Sequence, residues 1–93
     1  MFKIQRSAEG GAVVFTLSGR IKAARLTELE KLLEWEAGNG SIVLVLKEVK
    51  LVDRDVVSFL AGREAKGVKL VNCPAYIREW IDREVAQAKI GKP

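Results

Sequence analysis

The run SIVLVLK, residues 41–47, is nearly all apolar and rich in β-branched side chains. It is strand-sized, and its lack of polar alternation predicts a central strand, in a parallel setting or covered on both faces. Amphipathic segments of helical length flank it. In residues 23–37, Leu26, Leu29, Leu33 and Ala37 share one helical face, with Leu32 beside them. In residues 54–66, Val56, Val57, Leu60 and Ala61 do the same. Strands separated by helices of this length are joined as parallel neighbours through right-handed crossovers. This one strand and its flanks therefore commit the chain to an α/β sheet.

The remaining segments complete the order. FKIQR, residues 2–6, alternates apolar and polar side chains as an edge strand does. Gly10-Gly11 reads as a turn into AVVFTLSG, residues 12–19, so the pair forms a hairpin that Gly19 ends. Thr27 and Glu30 have capping-box spacing, which allows the first helix to start as late as Thr27, and Gly38 and Gly40 stop it. VKLVNC, residues 68–73, is a further strand. Pro74 opens a last helix with Ile77, Ile81, Val85 and Ala88 on one face and Trp80 beside it. The expected fold is β-β-α-β-α-β-α over residues 1–93. It is a single domain with a mostly parallel four-stranded sheet, an antiparallel N-terminal edge strand, helices packed on the sheet and a frayed tail at 86–93. Trp35 falls off the leucine stripe. It reads as a ring lying flat on the surface or a strand edge, with partner contact as the sharper alternative.

Composition narrows function. The chain has 93 residues, one cysteine and no histidine. The absence of histidine removes the commonest general base and metal ligand together. With one cysteine there is no internal disulfide and no cysteine pair for zinc, and no glycine-rich phosphate loop is present. No enzyme, cofactor or metal is expected. The net charge of +4 is spread among interleaved acids and bases, as in RLTELEKLLEWE and YIREWIDRE. That pattern describes solvated helix faces rather than a phosphate-binding stripe, so no nucleic-acid partner is expected. No run approaches membrane-spanning length and the N-terminus lacks a signal-like apolar stretch, so the expectation is a cytoplasmic chain without membrane insertion. Cys73, closing an apolar strand, is expected to be structural and inert.

The ordered set VVFTLSGRI, a helix ending in glycine, IVLVLKEVKLVD, and GVKLVN before Pro74 resembles the STAS domain of bacterial anti-sigma factor antagonists and sulphate-transporter tails. The likeness covers about residues 12–82. It implies a non-enzymatic protein-binding module. In the antagonists the strand end reads Asp-Ser-Ser-Gly or similar, and a partner kinase, which is also the anti-sigma factor, phosphorylates the second hydroxyl. Here Asp53 matches the aspartate, Arg54 and Asp55 stand at the hydroxyl positions, and Val56 replaces the glycine. Asp55 thus holds the acceptor position and no phosphorylation is expected. Ser58 is out of register with that position. Lys22 stands where the family carries an acid, and the helix after Asp53 is about one turn shorter.

Two roles fit Asp53-Arg54-Asp55. As helix cap and first-turn charge, Asp53 and Asp55 satisfy backbone donors and oppose the helix dipole. As a docking site, Asp53, Arg54, Asp55, Ser58 and Arg63 contact a protein partner through the loop 48–55 and the exposed face of the second helix. The partner is an anti-sigma factor or serine-kinase-like protein, or a transporter ATPase if the chain is an accessory subunit of a lipid transporter. A different class of reading places a small anionic ligand or nucleotide at a mouth formed by Arg20, Lys22 and Arg54.

Overall fold

In a computed structural model, which describes residues 2–36, 38 and 40–90, the chain forms a four-stranded mixed sheet and three helices. The strands are β1 (Phe2–Glu9), β2 (Ala12–Ile21), β3 (Ser41–Val52) and β4 (Lys69–Val71), and they lie in that order across the sheet. β1 runs antiparallel to β2, while β2, β3 and β4 are mutually parallel. A short 3₁₀ turn (Ala23–Arg25) leads into α1 (Leu26–Trp35); α2 is Arg54–Ala65 and α3 is Ala75–Ile90. The predicted element order and the antiparallel edge strand are both present.

The hairpin turn needs only Gly10 and Gly11, both at positive φ, between the paired Glu9 and Ala12. Glycine carries this conformation without the Cβ penalty other residues meet.

One face of the sheet holds the core. Val13, Phe15 and Leu17 of β2, with Leu44 and Leu46 of β3, pack against Leu29 and Leu33 of α1, Val56, Val57 and Leu60 of α2, and Ile77 and Ile81 of α3. The residues in register on the other face, including Val14, Thr16, Val43, Val45 and Val71, are only half-buried. The central strand is therefore parallel as expected but covered on one face, not two.

β3 is longer than its sequence suggests. Its buried positions run 44, 46, 49 and 52, while those of β2 keep strict alternation at 13, 15, 17 and then 21. The register slips once between Thr16 and Ser18 and again between Gly19 and Arg20, each slip adding a residue to β3. Two bulges thus convert the period from two to three. The segment expected as a loop at 48–55 is strand as far as Val52, and β2 runs past Gly19 to Ile21.

Two helix ends also differ from expectation. α1 starts at Leu26 with Arg25 in the cap position and no side-chain cap, so Thr27 and Glu30 form no capping box. α3 continues to Ile90, so residues 86–90 are helical where fraying was expected, and 91–93 lie outside the described residues, as does Ala37.

Candidate docking surface at the β3–α2 junction

Asp53 alone separates β3 from α2. Its backbone is extended (φ −88°, ψ 166°) and its carbonyl accepts the first helical bond, from the Val57 N–H at 3.1 Å. It occupies the cap position as expected, but its carboxylate does not cap α2. Asp53 Oδ2 instead accepts the Ala23 N–H at 2.9 Å. That donor opens the turn into α1, so one carboxylate ties the start of α1 to the start of α2. Asp53 is structural glue between the two crossovers, and only half of it reaches the surface.

Arg54 and Ser58 turn toward α3. The Ser58 hydroxyl donates to Glu84 Oε1 at 3.0 Å, and Arg54 Nε lies 3.9 Å from Glu84 Oε2. Arg54 therefore pairs with neither neighbouring aspartate. Glu84 organises both residues, and it sits on a helix whose acids looked like ordinary solvated charges. At the other end of the helix pair, Arg78 donates to both oxygens of Glu64, at 2.7 and 2.8 Å, and to Asp82 at 2.8 Å. These hydrogen bonds hold the Glu64 carboxyl below its ordinary range and raise the Arg78 guanidinium further above its own. The two clusters fix α2 and α3 antiparallel.

Asp55 is different. It is exposed in the first turn of α2 and, among the described residues, its side chain makes no hydrogen bond or ion pair. Two large side chains near the end of β3 are exposed. Leu51, near the end of β3, is 50% exposed, and Tyr76, in the first turn of α3, is 47% exposed. The Tyr76 hydroxyl donates to the Lys50 carbonyl, which fixes the ring beside the strand end. β4 pairs with β3 only over Val43–Val45, so this part of β3 has no strand on that side.

The other sequence candidates scatter. Arg63 lies at the opposite end of α2 from Asp55, roughly 12 Å along the helix. Its guanidinium covers the Phe59 ring at 5.1 Å. Val56 is fully buried and offers a partner nothing. Arg20 and Lys22 line one cleft of about 250 Å³, but its third cation is Arg25, not Arg54. Trp35 is 83% exposed, so the flat-lying reading does not hold. Cys73 is half-buried against the core and burial pushes its thiol up, away from thiolate chemistry. Among the described residues no cluster of His, Cys, Asp or Glu is placed to hold a metal ion, and no helix is long and apolar enough to cross a membrane.

Sequence reasoning missed Glu84 and Tyr76, and reached Leu51 only as part of the docking loop 48–55. Only Tyr76 carried a signal, as an aromatic in the first turn after a helix-opening proline.

No family model and no curated protein matches the chain. Among solved structures it is similar to that of Mglu, with 26% sequence identity and a TM-score of 0.51 over 72% of this chain. The match spans only 18% of the Mglu chain, so a related arrangement forms a small part of a much larger protein.

Proposed function

We propose that the chain is a non-enzymatic, STAS-like regulatory module that docks a protein partner at the β3–α2 junction through Asp55, Leu51 and Tyr76. The observation that carries this reading is Asp55: a carboxylate exposed in the first turn of α2 with no side-chain partner among the described residues, close in sequence to the exposed Leu51 at the end of β3. A charge beside a tyrosine and a leucine is the composition of an interface anchor with its polar rim. Arg54 and Ser58 stand at the edge of this surface and are shaped by Glu84. The likeness to a minor part of Mglu supports a module of the kind that is joined to larger assemblies.

In this reading Asp55 supplies a permanent single negative charge where antagonists of the STAS family carry a reversible phosphate. A carboxylate has about half the charge of a phosphate at neutral pH, so docking is constitutive and tuned by surface shape rather than switched. The favoured partner is a serine-kinase-like regulator. The test combines this protein, ATP and such a regulator purified from the same source. Complex formation without phosphate incorporation, weakened by Leu51→Arg, supports the reading. Incorporation at Ser58 that Ser58→Ala abolishes would reject it.

A further inference from the structure

The edge of the sheet formed by β1 carries a second feature. A groove of about 390 Å³ opens between β1 and α1. Its apolar lining is Phe2 and Ile4 of β1, the buried Phe15 of β2 and Leu32 of α1, and Arg6, Arg25 and Glu28 complete its walls. That volume lies within the range of small-molecule sites. Phe2 and Arg25 also line the adjoining cleft, whose remaining walls include Arg20 and Lys22. The apolar groove thus ends at three cations.

The charge at this end is not internally neutralised. Among the described residues Arg20 and Lys22 have no ion-pair partner. Arg25 lies 3.6 Å from Glu28, but both side chains are more than half exposed, and such a pair is readily surrendered to a better anion. Glu28 is the one acid among the lining residues of the two spaces, against these three cations. Arg6, on the groove's far wall, is already held by Glu36 through bonds of 2.8 and 3.3 Å and adds no free charge.

We propose that this groove binds a small anionic amphiphile, with its apolar body along Phe2, Ile4 and Leu32 and its carboxylate at Arg20, Lys22 and Arg25. An apolar trough and a cationic mouth bind the two halves of such a ligand by different forces. A purely polar anion leaves the trough unfilled, and an uncharged hydrocarbon leaves the cations unpaired. The site shares no lining residue with the proposed docking surface, although its cationic end adjoins the Ala23–Asp53 bond, and each proposal is tested by its own variants.

The probe is decanoate, kept below its micelle concentration and titrated into the isotopically labelled full chain. Saturable one-site shifts confined to β1, the facing part of β2 with Phe15 and Arg20, the turn before α1 and α1 are expected, with affinity falling as salt rises. Decanol and decylammonium are expected to bind at least tenfold more weakly. An R25E/K22E double variant with an unchanged spectrum elsewhere is expected to lose at least tenfold in decanoate affinity, and Leu32→Gln to lose severalfold. Equal binding of the three decyl compounds, shifts centred elsewhere, or full affinity in the double variant would overturn the proposal. So would binding to phosphatidylglycerol vesicles without binding to free decanoate, which would make the cations a membrane-contact patch.

Discussion

The α1 side and the α2–α3 side of the molecule treat their charges in opposite ways. Between α2 and α3 the polar side chains satisfy one another: Glu84 takes Ser58 and Arg54, and Arg78 takes Glu64 and Asp82. The result is a locked pair of helices that leaves the Asp55 carboxylate uncommitted, among the described residues, at its edge. Around α1, by contrast, Arg20 and Lys22 have no ion-pair partner among the described residues, beside a groove floored by Phe2, Ile4 and Leu32. There the long-range polar ties of the helix lie at its ends, Asp53 at the start and the Arg6–Glu36 pair at the finish. The lesson is that charge content alone locates neither surface. What matters is which charges the fold has already spent on itself.

The largest effect is expected where the α1 crossover returns to the sheet. Gly40 has φ +124°, and a Cβ there would come 2.2 Å from the Gly11 carbonyl oxygen. Neither atom belongs to a flexible side chain. Gly40→Ala is expected to cost about 3 kcal/mol or more in chemical denaturation. A cost below 1 kcal/mol would show that this loop is not seated against the hairpin turn.

Asp53 comes next, because it joins the two sides. Asp53→Ala leaves the Ala23 N–H without its acceptor and is expected to cost about 2 kcal/mol. Asp53→Asn, which keeps an acceptor oxygen, is expected to recover most of that. If Asn is as damaging as Ala, the bond to Ala23 is not what Asp53 provides.

Much of the fold was legible in the sequence for a simple reason: the helix faces and the strand order are carried by apolar periodicity, which local sequence displays. Leu29, Leu33, Val57, Leu60, Ile77 and Ile81 are buried as that periodicity requires. The end of β3 was hidden because its bulges replace a period of two by a period of three, which reads as a loop. The candidate site was hidden further. The Asp53–Ala23 and Arg6–Glu36 contacts each join residues 30 apart, and Ser58 meets Glu84 across 26. No spacing rule reaches across such separations, so the capping role suggested for Asp53 followed local chemistry while its carboxylate answered to a distant N–H.

Smaller effects probe the locked side. The Glu64 carboxyl is held down chiefly by the Arg78 hydrogen bonds. A carboxyl lowered in the folded state stabilises above its unfolded value of 4.5 and loses that contribution as pH falls through the folded value. Both side chains are about one-third exposed, so the contribution is expected to stay below about 1 kcal/mol. Arg78→Ala should therefore lower stability at pH 7 by more than at pH 3, measured by denaturation at both. An equal loss would point to packing rather than charge. Smaller still is Glu84→Gln, which keeps an acceptor for Ser58 and drops only the long pair with the exposed Arg54; a change of no more than about 0.5 kcal/mol is expected.

Asp55 offers the most direct test of docking at the junction. The measurement is the affinity of a purified serine-kinase-like partner for the wild-type chain and for Asp55→Lys, with folding checked by circular dichroism and Trp35→Ala as a distant surface control. Charge reversal at the helix start costs about 1 kcal/mol of stability and leaves the chain folded. The expected result is an affinity loss of at least tenfold for Asp55→Lys and no change for Trp35→Ala. A folded Asp55→Lys chain that binds with wild-type affinity would contradict docking at the junction and leave Asp55 as a first-turn charge serving only its own helix.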